Sequence, residues 1–117
     1  MSDELERVLA QLAREYVAQA PARLDELRKA VAAFRAGEPG AINSLSILFH
    51  RLAGSGGSYG FPAVSEIGRS TERWLKNDPP PRPDQASRLD EAVAQLARCF
   101  DEAAAKQAEN GETQPPS

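Results

Sequence analysis

An all-α fold, an antiparallel up-down four-helix bundle with an additional short N-terminal helix, follows from three features of this sequence. Apolar residues recur three and four positions apart in five successive segments, and no segment alternates with the period of a strand. Alanine and leucine dominate the apolar set, while aromatic residues make up only 6% of the chain, so intrinsic propensity agrees with periodicity. Proline and glycine cluster at a few points between the periodic segments, where they act as punctuation.

The first segment runs from about Asp3 to Gln19, with Leu5, Val8, Leu9, Leu12 and Tyr16 as its apolar stripe. Asp3 reads as the N-cap, with Glu6 three residues later completing a capping box. Pro21 interrupts the pattern and suits the first turn of a new helix, whose stripe is Leu24, Leu27, Val31 and Phe34. Gly37-Glu38-Pro39-Gly40 ends that helix, and a third spans about Ala41 to Ser58. Pro62 opens a fourth, with Val64, Ile67, Thr71, Trp74 and Leu75 turned inward. Asn77-Asp78-Pro79-Pro80-Pro81-Arg82-Pro83 forms a stiff connector, after which Asp84 is expected to cap a fifth helix carrying Leu89, Val93, Leu96 and Phe100. Trp74 and Phe100 read as core anchors and Cys99 as a small packing residue at the bundle edge. The expected domain covers residues 1–108, and residues 109–117 form a polar tail expected to be disordered.

Composition removes several function classes. A chain of 117 residues suits one domain. The net charge is −3 and the basic residues are scattered, which argues against nucleic acid as a partner. No run approaches the roughly 18 apolar residues that span a bilayer, so no membrane partner is expected. The acidic Met-Ser-Asp-Glu start lacks the basic and apolar regions of a signal peptide. Cys99 is the lone cysteine, so a disulfide framework is excluded and a reducing compartment, the cytoplasm, is the expected location. A monomer is expected.

The third helix carries the chemistry. At about 100° per residue, Ile42, Leu45, Leu48, Phe49, Leu52 and Gly56 share the core side, and His50 falls off it. The surface neighbours of His50 are Asn43, Ser46 and Ile47 before it and Ala53, Gly54 and Gly57 after it, most of them small. The imidazole therefore stands in a clearing. A glycine within a helix costs about 1 kcal/mol relative to alanine, so three so close together need a reason. Gly56 points inward, where it suits close approach of a neighbouring helix, with Gly68 as its expected counterpart. Gly54 and Gly57 point outward beside His50, where an approaching partner explains them. Ser46, Ile47, Arg51, Gly54 and Gly57 are accordingly the expected docking residues.

A neutral imidazole is a good nucleophile near pH 7. The chain has one His and its Cys lies on another helix, so no metal site is expected. It has no phosphate-binding glycine loop or kinase motif set, hence no bound nucleotide or other cofactor is expected. No acidic residue lies within a helical turn of His50, which speaks against a hydrolytic triad. A solitary surface histidine suits a carrier filled and emptied by its partners.

The segment His50-Arg51-Leu52-Ala53-Gly54-Ser55-Gly56-Gly57-Ser58-Tyr59-Gly60-Phe61 resembles the signature of histidine-containing phosphotransfer (HPt) domains, His-x-Leu-Lys-Gly-Ser followed by small residues and a further glycine. His50, Leu52, Gly54, Ser55 and Gly60 match it position by position, and the helix order from about Leu5 to Ala105 agrees with that family's bundle. The resemblance implies a phosphoryl carrier of a two-component phosphorelay without ATP-dependent kinase activity. His50 would accept the group, at Nε2, from a receiver-domain aspartate and pass it to another receiver; Gly54 would leave room for the receiver's loops. The implied partners are response-regulator receivers or a hybrid histidine kinase, with Mg²⁺ on the receiver. Ala53 departs from the pattern, standing where the family often has lysine. The dimerisation helices of histidine kinases fit less well, because Arg51 rather than an acidic residue follows the histidine and no proline lies between His50 and Pro62. A helical adaptor that docks onto receivers without accepting phosphate fits the same surface.

Overall fold

Five α-helices and a short 3₁₀ turn make up the computed structural model, which describes residues 2–113, with side chains described for residues 3–110. They are α1 (Ser2–Ala18), α2 (Ala20–Arg35), α3 (Ala41–Ser58), α4 (Pro62–Leu75) and α5 (Ser87–Thr113), with the 3₁₀ turn at Pro83–Gln85. No strand occurs among the described residues. Helix α2 packs on α3 and α5, α3 on α4, and α4 on α5, so four helices close around one core. Leu45, Phe49, Leu89 and Leu96 lie at its centre and are wholly buried.

The α3–α4 pair is the tightest contact, and glycine makes it so. A β-carbon on Gly68 would stand 2.7 Å from both the Phe49 carbonyl oxygen and the Ala53 nitrogen. On Gly56 it would stand 2.7 Å from the Ser65 nitrogen. Both glycines therefore admit the neighbouring backbone, but not each other's: Gly56 receives the start of α4, and Gly68 receives the middle of α3. Ser65 Oγ closes the seam by donating to the Ala53 carbonyl at 2.7 Å. These contacts advance along α4 as they retreat along α3, so the two helices run antiparallel.

Several boundaries differ from the sequence reading. Helix α1 has 17 residues and is not short. Asp3 sits inside its first turn rather than ahead of it, where its charge suits the helix dipole but cannot serve as the N-cap. The stripe on α1 is buried only at Tyr16; Leu5, Val8, Leu9 and Leu12 are exposed, because α1 runs past the four-helix body and lays Ala10 and Ala13 toward α5 instead. Asp84 belongs to the 3₁₀ turn, and α5 begins at Ser87. That helix continues through Glu109 to Thr113, part of the stretch expected to be disordered, since the preceding Ala-Ala-Ala-Lys-Gln-Ala run propagates helix strongly. Residues 114–117 lie outside the described residues.

Tyr16 joins α1 to the body. Its ring stacks on Tyr59 at 4.8 Å and Phe61 at 5.6 Å, tilts against Phe100, and its hydroxyl pairs with Ser55 Oγ at 2.7 Å. Phe100 is buried as expected; Trp74 is half-buried, with Arg88 over its ring. Cys99 packs half-buried against the core, where burial pushes its thiol above the ordinary range.

The two kinds of glycine should respond oppositely to substitution. Gly68→Val should destabilise the protein by about 1–3 kcal/mol, because backbone rather than a yielding side chain occupies the space. Gly54, whose β-carbon would meet nothing within 4 Å, should gain about 0.5–1 kcal/mol on replacement by Ala. Urea denaturation of the two variants checks both signs.

Candidate functional site

Helix α3 places His50 on the side away from Leu45, Phe49 and Leu52, which fill the core. Its side chain is 73% exposed. It is not, however, without a partner. Glu72 reaches across from α4 and sets both carboxylate oxygens 3.1 Å from His50 Nδ1. The crossing at Gly68 explains why: Glu72 lies one helical turn beyond Gly68, and His50 directly follows Phe49, so the close approach brings the two side chains together.

Glu72 is only 15% exposed and has a second partner, Lys76 Nζ at 2.9 Å from Oε2. The Lys76 ammonium, together with His50, holds the Glu72 carboxyl below its ordinary value, against the opposing effect of burial. An ionised carboxylate can only accept, so Nδ1 carries the proton in the pair. The second ring nitrogen, Nε2, has no partner among the described residues. A carboxylate orienting a histidine through one nitrogen, leaving the other free to react, fixes both ring orientation and tautomer.

The expected docking residues divide. Ile47 is 44% exposed beside a groove with Ala30, Ala33 and Leu48. Gly54 and Gly57 are exposed, and a β-carbon on Gly57 would meet only Ser65 Oγ, at 3.6 Å. Arg51 is exposed but lies toward α2, in a cleft with Arg23 and Glu26, about a quarter-turn from the imidazole. Ser46 is a correction: it is 9% exposed and faces the space between α3, Phe34 and Leu75, so it offers a partner little surface. Arg69 turns to Glu66 and Ser65 rather than to His50. Helical spacing around His50 does not point to Glu72, because the pairing joins two helices across 22 positions.

Among the described residues no group of His, Cys, Asp and Glu is placed to hold a metal ion, and no helix is long and apolar enough to cross a membrane. The fold and site together describe a small all-helical domain with one exposed, carboxylate-held imidazole. A family model for the Hpt domain matches residues 11–99, most of the chain, and the protein belongs to that family. Hpt domains carry out histidine phosphotransfer in phosphorelays, interact with receiver domains, and are carriers rather than kinases. Comparison with curated proteins and with solved structures gave no match.

Two measurements test the His50–Glu72 pair. Nitrogen-15 NMR of the histidine side chain should show the proton on Nδ1 at neutral pH, and Glu72→Ala should return the ring to the solvent mixture of tautomers. The depressed Glu72 carboxyl also makes the pair pH-dependent. Its contribution to stability is full above the ordinary carboxyl value of 4.5 and is lost as pH falls through the lower folded value. The stability difference between parent and Glu72→Ala should therefore shrink in acid, as measured by denaturation at a series of pH values.

Proposed function

We propose that this protein is the phosphoryl carrier of a cytoplasmic two-component phosphorelay, with His50 as its acceptor and α2–α5 as an antiparallel up-down bundle. The short links after Arg35 and Ser58 favour that topology, since each reverses the chain within a few residues. The observation that carries the functional reading is the imidazole itself: exposed, held at Nδ1 by Glu72, and free at Nε2.

Transfer needs an in-line attack and little else from the carrier. The Nε2 lone pair attacks the phosphorus of an aspartyl phosphate on a receiver. The N–P bond forms as the bond from phosphorus to the aspartyl oxygen breaks, and the receiver's carboxylate leaves with that electron pair. The Nδ1 proton stays in place, and Glu72 balances the positive charge that develops on the ring. Delivery reverses these steps, with a carboxylate oxygen of a second receiver attacking phosphorus and Nε2 leaving. A Mg²⁺ ion on the receiver would neutralise the phosphoryl oxygens. That suits a carrier in which Ala53 leaves no cation on the His50 face of its own helix.

Ile47 and the bare helix surface at Gly54 and Gly57 form the landing area, apolar on one side of the imidazole and open on the other. No ATP, metal or other cofactor is needed on this chain, and a hybrid kinase or separate receivers would supply and remove the group.

Incubation with phosphorylated receivers should label the protein at one site, giving an acid-labile and alkali-stable adduct, and His50→Gln should abolish it. Labelling that survives the substitution would overturn the reading. Binding to receivers without any labelling would mark a docking adaptor instead. Gly54→Glu should lower transfer at least tenfold by crowding the landing area while the helical circular dichroism stays unchanged.

A further inference from the structure

Glu72 presents a chemical problem to the ring it holds. A carboxylate with both oxygens 3.1 Å from Nδ1 attracts positive charge, and an imidazolium has no lone pair at Nε2 with which to attack phosphorus. The nearest remedy stands just past the end of α4, where Lys76 Nζ lies 2.9 Å from Glu72 Oε2. Lys76 also lines the space beside Asn43 and Ser46, one to two turns along α3 from His50.

We propose that Lys76 is a positioning residue that acts through Glu72. It draws on the carboxylate's charge so that Glu72 fixes the Nδ1 proton without drawing a second proton onto Nε2. This rests on His50 being the acceptor, and it gives the reaction a lower pH limit set by a residue at the end of the neighbouring helix.

Among the described residues no other charged group competes for the role. On α4, Arg69 pairs with Glu66 and contacts Ser65, and Arg73 makes no ion pair with Glu72. On α3, Arg51 faces the cleft toward α2. On α5, Arg88 lies over the Trp74 ring. Glu72 is thus shared by two partners among the described residues, His50 and Lys76, and removing one alters what the other feels.

The test compares the parent, Lys76→Met, Lys76→Arg, Glu72→Ala and the Glu72→Ala/Lys76→Met double variant by nitrogen-15 NMR of the imidazole across pH. Lys76 is 64% exposed, so its substitutions leave the core untouched. In Lys76→Met the ring should take its second proton about 0.3–0.5 pH unit higher than in the parent, the size expected for losing an exposed charge partner. Lys76→Arg should restore the parental curve. Adding Lys76→Met to Glu72→Ala should produce little further shift. In receiver-driven labelling, the acid limb of the rate profile should move by the same amount, and the rates should converge at alkaline pH. The proposal is overturned if Lys76→Met titrates with the parent, if its shift persists undiminished without Glu72, or if the rate falls equally at every pH. The NMR titration needs no phosphoryl donor, so it decides the role of Lys76 even if His50 is never labelled, and failure to label strikes the carrier reading alone.

Discussion

Where α4 crosses α3, the only atom at Gly68 that could come between the backbones is a hydrogen. The Phe49 carbonyl oxygen and the Ala53 nitrogen occupy the place that any larger residue would need. That contact sets the height of α4 against α3, and the rest of the site is measured from it. One turn beyond Gly68 stands Glu72; one residue after Phe49 stands His50. Gly56 on Val64 and Ser65, and the Ser65 hydroxyl on the Ala53 carbonyl, hold the same alignment at the far end of the seam. A helix pair spaced by ordinary side chains would set the carboxylate farther from the ring. The site is thus a consequence of packing: small residues at the crossing let a charged residue on one helix orient a nucleophile on the other.

The same economy separates rigidity from access. Leu45, Phe49 and Leu52 fix α3 from the core side, so His50 needs no enclosing pocket to keep its place. Its ring is held at one nitrogen and left open at the other, and the surface around it is bare helix. Charge is distributed in the same spirit. The helix that carries His50 brings no cation to the imidazole's face, because Ala53 is apolar and Arg51 is turned toward α2. The cation that does approach, Lys76, is spent on Glu72. In the proposed transfer, neutralisation of the phosphoryl group then falls to the partner, which fits a carrier that must release its cargo as readily as it takes it.

Much of this was legible in the sequence, and the exceptions have physical causes. The core stripes of α2 to α5 and the exposure of His50 follow from helical spacing, because one helix face determines each of them. Gly54 and Gly57 were recognisable as outward-facing for the same reason. Glu72 was not, since its pairing with His50 depends on how two helices cross, and spacing within one helix carries no such information. Ser46 misled because it lies at the border of the core stripe, where a small tilt of the helix decides between burial and exposure. The α1 stripe misled in another way: periodicity shows which face is apolar, but not whether a partner covers it, and α1 outruns the body for its first three turns. The end of α5 runs past its expected limit because the helix propensity of its alanines outweighs the polar composition that follows them.

The central claim is that His50 carries a phosphoryl group on Nε2 while Glu72 keeps the proton on Nδ1. Heteronuclear NMR on nitrogen-15-labelled protein, phosphorylated by a receiver, tests it directly. The account predicts phosphorus coupled to Nε2 of His50, with a proton still on Nδ1. Phosphorus on Nδ1, or on any residue other than His50, would contradict it.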